Sequence, residues 1–172
     1  MVSFAQNAKI NEMLPVKKNL KYEKIVNLKG LNEATLLVIE WIVSDKKRAG
    51  AAVVGLYGNL GSGKTAFVKK IGKILGINGK IISPTFIIMK RYAIPSPRRK
   101  KFNLNEIIHI DAYRLGGHEE ILKLNWPEII KNKKQAVFIE WPERVKKAMP
   151  KNALKVKFSF VNEKKRKVKI SP

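Results

Sequence analysis

Short, mostly apolar runs alternate along the chain with stretches in which apolar residues recur every three or four positions. The runs lie at 51–57, 107–111 and 136–140. A run of this length bounded by polar residues predicts a strand buried on both faces, as in a parallel sheet. The second and third runs each end on a carboxylate, Asp111 and Glu140.

Helical spacing predicts two longer helices, over 33–44 and 66–75. We also expect short strands at 24–28 and 86–92 and a short helix at 119–124. Between them, prolines break the regular pattern, which places the basic run 98–101 in a loop. Near the C-terminus, apolar and polar residues alternate over 154–161 and 167–170 around a charged turn, which predicts a β-hairpin.

The first apolar run leads into residues 58–65, which read GNLGSGKT. This segment fits the P-loop pattern G-x-x-x-x-G-K-[ST], between the strand and the helix that the pattern requires. Gly58, Gly61 and Gly63 permit backbone angles that turn successive amides toward a polyphosphate at the positive end of the helix. Lys64 is predicted to reach the β and γ phosphates, and Thr65 to give its hydroxyl to Mg²⁺. The expected ligand is a nucleoside triphosphate with magnesium.

Strands alternating with helices around such a loop predict an α/β fold. We expect a P-loop NTPase-like sheet that is parallel in the centre, has the antiparallel hairpin at its C-terminal end and is flanked by helices. A chain of 172 residues suits one such domain. Residues 1–22 are expected to form a poorly ordered N-terminal extension, and 23–172 a single P-loop ATPase domain.

A P-loop nucleoside triphosphatase needs a carboxylate near Mg²⁺, usually where a buried strand ends beside the loop. Glu140 follows the more fully apolar strand, so we assign it to Mg²⁺, directly or through water. Asp111 then becomes the candidate for orienting the attacking water or holding the γ-phosphate side. The two roles could be exchanged. The predicted catalytic residues are therefore Lys64, Asp111 and Glu140, and the predicted metal ligands are Thr65 and Glu140.

Elements that read guanine are missing, because neither an N-K-x-D segment nor a D-x-x-G switch follows the loop. ATP is therefore favoured over GTP. The chain is also too short for a helicase or an AAA-type motor. A small phosphotransferase acting on a small molecule is the alternative reading, since scattered arginines could clamp phosphates, namely Arg91, Arg98, Arg99 and Arg114.

The formal net charge of +23 favours contact with RNA or with an acidic partner. Lysine accounts for 29 of the 36 basic residues and is spread along the whole chain, whereas specific recognition tends to use arginine. Direct tRNA contact and an ordinary solvated surface both stay open. The absence of cysteine excludes disulfides and thiolate metal sites and agrees with a reducing cytoplasm. No apolar run reaches the about 18 residues of a membrane span.

Three further motifs follow the P-loop in order: SPTF at 83–86, HIDAYRL at 109–115 and IEWPE at 139–143. Together with the loop they resemble the TsaE (YjeE) family, small bacterial ATPases of tRNA threonylcarbamoyladenosine (t6A) biosynthesis. The resemblance covers residues 31–170. It implies a cytoplasmic protein that binds ATP and Mg²⁺ and works with TsaB and TsaD, the pair that transfers threonylcarbamoyl to adenosine 37 of ANN-decoding tRNAs. In this family the ATPase resets or activates the TsaD complex between turnovers, and tRNA contact would come through that complex.

The resemblance also implies roles for single residues. Thr85 would belong to a switch-like loop in which its hydroxyl senses the γ-phosphate. Trp141 would lie near the nucleotide or pack in the core, and Glu33 would approach the adenine. Phosphate binding would fall to the loop residues Gly58, Leu60, Gly61, Ser62, Gly63, Lys64 and Thr65.

The chain departs from the usual family pattern at three places. The N-terminal extension is unexpected, the basic loop 93–106 is longer than usual, and Ala112 stands where a larger apolar residue is common. None of these affects the phosphate chemistry. The basic loop could contact tRNA or be a solvated insertion.

Overall fold

The computed structural model describes residues 20–27, 29–45 and 47–172. Within these ranges the strands are β1 Tyr22–Val26, β2 Ala52–Tyr57, β3 Met89–Ala93, β4 Glu106–Asp111, β5 Gln135–Glu140, β6 Leu154–Phe160 and β7 Arg166–Ser171. The helices are α1 Leu31–Ser44, α2 Lys64–Ile74, α3 Ser96–Phe102, α4 His118–Leu122 and α5 Trp126–Lys131. Two 3₁₀ segments, Ala112–Arg114 and Pro142–Ala148, follow β4 and β5.

All seven strands of the described chain form one sheet in the order β1-β7-β6-β2-β5-β4-β3. The central strands β6, β2, β5 and β4 are parallel. At one edge β7 pairs antiparallel with β6 and β1 pairs antiparallel with β7, and at the other edge β3 pairs antiparallel with β4. The predicted α/β sheet, parallel in the centre with an antiparallel C-terminal hairpin, is therefore confirmed.

Helices bury both faces of the central strands. Along β5, Ala136 and Phe138 face the cluster that contains α1 and α2 side chains, and Val137 and Ile139 face the cluster that contains α4 and α5 side chains. Successive side chains of a strand point to opposite faces, so a strand covered on both sides is apolar at every position. Each fully buried side chain of this kind contributes about 1.5–3 kcal/mol to folding.

The carboxyl ends of the parallel strands bring the polar residues together. Asp111 at the end of β4 pairs in register with Glu140 at the end of β5, and Glu140 pairs with Leu56 just before the P-loop. Strand alternation puts Glu140 on the same face as Phe138, which is the face that α2 covers. Both acids therefore point toward the beginning of α2.

Two local predictions are corrected by the structure. The strand expected at 86–92 begins only at Met89, because Pro84 O accepts hydrogen bonds from the N–H groups of Ile87 and Ile88, at 2.9 and 2.5 Å, which closes a turn. The basic run expected in a loop lies in α3. Its one buried side chain, Phe102, anchors the helix, and a single apolar position is too little to give a helical period.

No helix among the described residues is long and apolar enough to cross a membrane. Residues 1–19 of the expected N-terminal extension lie outside the described residues. Leu20 is already buried in the core, and β1 begins at Tyr22. The folded domain thus starts no later than residue 20.

Candidate nucleotide site

The P-loop joins β2 to α2 in a backbone conformation that requires glycine. Gly58 has φ 138°, and a Cβ there would lie 2.5 Å from the carbonyl oxygen of Phe158 on β6. Gly63, which precedes the first helical residue, has φ 108°. Both values disfavour any residue with a side chain. The loop can therefore turn tightly enough to present its amides at the start of α2.

The start of α2 offers hydrogen-bond donors to an anion. Within the described residues, the first helical bond of α2 runs from Phe67 N to Gly63 O, so the preceding amides are not used by the helix. Ser62 Oγ is buried and has no partner among the described residues. Free amides and an unpaired hydroxyl at a helix N-terminus fit a phosphate chain.

Lys64 is held inside its own loop. Its side chain is 4% exposed, and Nζ donates to Gly58 O at 2.6 Å and Asn59 O at 3.0 Å. Burial lowers the pKa of Lys64, while Glu140, Asp111 and Glu143 act in the opposite direction. The ammonium group therefore lies in a poorly hydrated place, where phosphate oxygens can replace the two carbonyls as acceptors.

Glu140 lies beside Thr65, although the two are 75 residues apart in the chain. Thr65 Oγ1 donates to Glu140 Oε1 at 2.7 Å. His109, which is 0% exposed, places Nε2 at 2.9 Å from the same oxygen. An ionised carboxylate only accepts, so Nε2 carries the proton and donates it. Two donors thus fix one carboxylate oxygen and leave the other for a metal ion or a water.

Asp111 has a separate set of partners. Thr85 Oγ1 donates to Asp111 Oδ2 at 2.5 Å, and the backbone N–H of Tyr113 donates to Oδ1 at 3.1 Å. Ser83 Oγ lies 2.7 Å from Thr85 Oγ1. The segment 83–88, here called the switch loop, is therefore tied to the end of β4 through its threonine hydroxyl.

The oxygen donors at this site suit Mg²⁺. Mg²⁺ prefers oxygen ligands and is usually held by one or two protein groups together with phosphates and waters. Thr65 and Glu140 provide a hydroxyl and a carboxylate beside the helix N-terminus. Nowhere in the described chain do three or more His, Asp or Glu side chains form a cluster that could bind a metal alone. The site fits a metal that arrives with a polyphosphate.

Trp141 joins the site to the core. It has left-handed backbone angles, φ 57° and ψ 47°, and its ring lies 4.1 Å from Lys64 Nζ, measured to the ring centroid. The ring also packs against Tyr113, with centroids 5.2 Å apart. Trp141 thus packs partly against the core and beside Lys64, while its place near a bound nucleotide stays a prediction.

Three predicted residues lie farther from this chemistry. Leu60, at the tip of the P-loop, is 88% exposed. Glu33 pairs with Lys24 Nζ at 2.8 Å on β1, and among the described residues it makes no hydrogen bond to the P-loop. The Arg114 guanidinium lies 4.5 Å from the ring centroid of Phe86.

Two residues of the site were not predicted from the sequence. His109 was read only as part of a strand, although a polar residue two positions before Asp111 must share its face of the sheet. Arg166, on β7, donates from Nε to Ser62 O at 3.2 Å and from Nη2 to Gly61 O at 3.4 Å. No signal in the sequence links Arg166 to a loop that lies more than 100 residues earlier.

Comparisons with known proteins place these motifs in one family. Residues 32–168 match the family model described as threonylcarbamoyl adenosine biosynthesis protein TsaE. The chain is 34% identical over 143 residues to the tRNA threonylcarbamoyladenosine biosynthesis protein TsaE of Rickettsia bellii, covering 79% of this chain and 92% of that protein. It is 36% identical over 115 residues to the protein of the same name from Rickettsia prowazekii, covering 66% of this chain and 73% of that one.

A solved structure agrees at the level of the fold. YdiB of Bacillus subtilis matches with a TM-score of 0.61 at 23% identity, over 89% of this chain and 84% of that one. The family model spans most of the chain and includes the P-loop, the switch loop and both strand-end acids. The chain therefore belongs to the TsaE family of tRNA threonylcarbamoyladenosine biosynthesis proteins.

Proposed function

We propose that this protein binds ATP with Mg²⁺ and hydrolyses it slowly, and that it acts in this way on the TsaB–TsaD complex during formation of t6A at tRNA position 37. The observation that carries the proposal is the hydrogen bond between Thr65 and Glu140 at the N-terminus of α2. It puts a hydroxyl and a carboxylate where a P-loop ATPase needs its two magnesium ligands. When bound, Mg²⁺ would offset negative charge on the β and γ phosphates.

Lys64 supports the proposed binding of ATP. Its ammonium group now satisfies the carbonyls of Gly58 and Asn59, and a phosphate chain would draw it toward the β and γ positions. In this exchange the neutral carbonyl oxygens are replaced by charged phosphate oxygens, which form hydrogen bonds roughly twice as strong. The absence of guanine-reading elements favours ATP as the nucleotide.

Asp111 is proposed as the acid that orients the attacking water, with Glu140 on the metal. Asp111 is bound to Thr85 of the switch loop, whereas Glu140 is bound to Thr65 of the P-loop. A γ-phosphate at the N-terminus of α2 would compete for the Thr85 hydroxyl and so change the link between the switch loop and β4.

Two features of the site support the proposed dependence on a partner. Within the described residues Arg166 is hydrogen-bonded to the P-loop, but it donates to the carbonyls of Ser62 and Gly61, and the proposal leaves charge on the transferred phosphate for a partner to stabilise. Large apolar side chains are exposed on both loops beside the phosphates: Leu60 at 88%, Phe86 at 83% and Ile87 at 57%. Exposed apolar groups of this size are typical of a surface that binds another protein.

The decisive variant is Lys64→Ala, compared with Lys69→Ala on the exposed side of the same helix. We expect Lys64→Ala to abolish ATP hydrolysis and to fail to restore t6A in cells that lack their own TsaE. Lys69→Ala should support both. Normal levels of the modified nucleoside with Lys64→Ala would refute the proposed function.

A second assay separates this function from the alternative, a small-molecule phosphotransferase. ATP turnover is measured with and without TsaB–TsaD and with tRNA as a further variable. The proposal expects the partner pair to accelerate hydrolysis. Fast phosphate transfer to nucleosides or small alcohols by the protein alone would favour the phosphotransferase instead.

A further inference from the structure

One face of the sheet edge made by β6, β7 and β1 carries an array of lysines, here called the lysine face. Its members are Lys155 and Lys157 on β6 and Lys167 and Lys169 on β7, all exposed. Lys157 pairs directly with Lys169 across the two strands, while Lys155 pairs with Ser171 and Ser159 with Lys167. Cross-strand partners share a face, so the four lysines point the same way.

Described elements cover the rest of this side of the sheet but stop short of the lysine face. The 3₁₀ segment Pro142–Ala148 and the residue after it end over β2, where Gly55 leaves room for Pro142 and Met149. On the opposite side of the same strands, Val156, Val168 and Ile170 are buried in the core. The lysine face is thus the solvent side of a sheet whose other side is closed.

The charge of this face is mostly uncompensated. Within the described residues of β1, β6 and β7, Glu23 is the one acid on it, at 3.1 Å from Lys167 Nζ and 3.6 Å from Lys169 Nζ. Four lysines against one glutamate leave a net charge of +3. Both ion pairs are about half exposed, and exposed pairs of this kind contribute little. The lysines remain available to a stronger polyanion.

Residues 1–19 do not supply that anion, because they carry Lys9, Lys17 and Lys18 against Glu12. A membrane surface is also disfavoured. The positions of these three strands that lie on the lysine face hold lysine, serine, Glu23 and Ile25, with no aromatic side chain to anchor in lipid; Phe160, which is exposed at the end of β6, alternates to the opposite side of the sheet. Point charges on an open sheet face that has no aromatic group for stacking suit a phosphate backbone rather than bases.

We propose that the lysine face binds the phosphate backbone of tRNA directly and without sequence preference. This inference rests on the proposed function for its choice of RNA, since the related proteins are named for tRNA modification. Neighbouring strands lie about 4.8 Å apart, and alternate residues along one strand about 6.6–6.8 Å apart. Flexible lysines at such spacing can contact several successive phosphates at once.

Binding of an unmodified tRNA transcript to the full chain, without partner proteins, is measured by fluorescence anisotropy over a range of salt concentrations. Each phosphate contact contributes about 0.7–0.9 to the slope of log K against log salt. The variant K155Q/K157Q/K167Q/K169Q should therefore lower that slope by about 3 and weaken binding in 0.1 M salt by at least about tenfold. A matched control, K73Q/K80Q/K123Q/K133Q, removes the same charge from exposed positions outside both the lysine face and the basic segment 93–106, and should change the slope by less than half as much.

Three outcomes would overturn the inference: equal losses in the two variants, a salt slope near zero for the unaltered chain, or poly-glutamate binding as tightly as tRNA. The last would assign the face to an acidic protein. Thermal unfolding confirms that each variant is folded. Lys64→Ala should keep tRNA binding while losing ATP hydrolysis, and the four-lysine variant should keep hydrolysis measured without partners. Failure of this inference is therefore distinguishable from failure of the proposed function.

Discussion

Replacing His109 tests whether the buried imidazole positions Glu140 for the metal. In His109→Leu the carboxylate oxygen that accepts from both Thr65 and His109 keeps only the threonine donor. A hydrogen bond to a charged group contributes about 1.5–3 kcal/mol. Without this hydrogen bond the carboxylate that binds the metal is less well oriented. We therefore expect the affinity for Mg²⁺ to fall by about 10- to 100-fold, which is the usual effect of removing a group that orients a metal ligand.

The same substitution should change folding stability much less. His109 Nδ1 is buried and has no hydrogen-bond partner among the described residues, which costs about 1–3 kcal/mol. Leucine removes this cost together with the bond to Glu140, so the two effects on the free energy of unfolding largely cancel. A large loss of metal affinity in a protein of nearly unchanged stability is the signature of a positioning residue.

The assay titrates Mg²⁺ into protein with a fluorescent ATP analogue and is paired with urea unfolding. His109→Gln is the matched control, because its amide can still donate from near the position of Nε2. We expect the glutamine variant to recover most of the Mg²⁺ affinity that the leucine variant loses. The reasoning is refuted if His109→Leu titrates like the unaltered protein, or if the glutamine and leucine variants are equally impaired.

Three further predictions concern the same site. Glu140→Ala should weaken Mg²⁺-dependent nucleotide binding, whereas Asp111→Ala should spare binding and reduce turnover. Calorimetry measures the binding and a phosphate-release assay measures the turnover. The reverse result would exchange the roles of the two acids. Gly58→Ala should abolish nucleotide binding, because φ 138° is strained for alanine and its Cβ would lie 2.5 Å from Phe158 O; ATP affinity within twofold of normal would contradict this. Arg166→Leu removes two hydrogen bonds to P-loop carbonyls and should weaken ATP binding by about three- to tenfold. An unchanged dissociation constant for ATP in calorimetry would count against a role of Arg166 in holding the loop.

Local pattern was sufficient for the elements that lie in the centre of the fold. The strands β2, β4 and β5 were predicted within one residue of their observed bounds, because burial on both faces makes most of their positions apolar. The P-loop was equally clear, since its glycines and its Lys-Thr pair meet requirements that lie within eight consecutive residues. Prediction failed where local signals were weak or misleading, as in α3, a helix of basic residues with a single buried side chain, Phe102.

The candidate site also combines residues that local sequence predicts with an arrangement that only the tertiary structure decides. Residue types and spacing predicted Thr65, Asp111 and Glu140 as the groups of a nucleotide site, because a phosphate loop requires oxygen ligands and strand-end acids. Their meeting depends on sheet order: β5 lies between β2 and β4, which sets Glu140 beside Thr65 and in register with Asp111. Which strands pair with each other depends on contacts between distant parts of the chain, so a short stretch of sequence does not predict it.

The lysine face depends on topology in the same way. Alternating lysines in 155–169 indicate a strand with one solvated side, but they do not show which elements cover the neighbouring strands. Because the covering segment ends over β2, four lysines from two strands form one open surface. Thus the residue types of the proposed phosphate site can be read from local sequence, whereas the pairing of strands and the coverage of the sheet arise from packing across the whole chain.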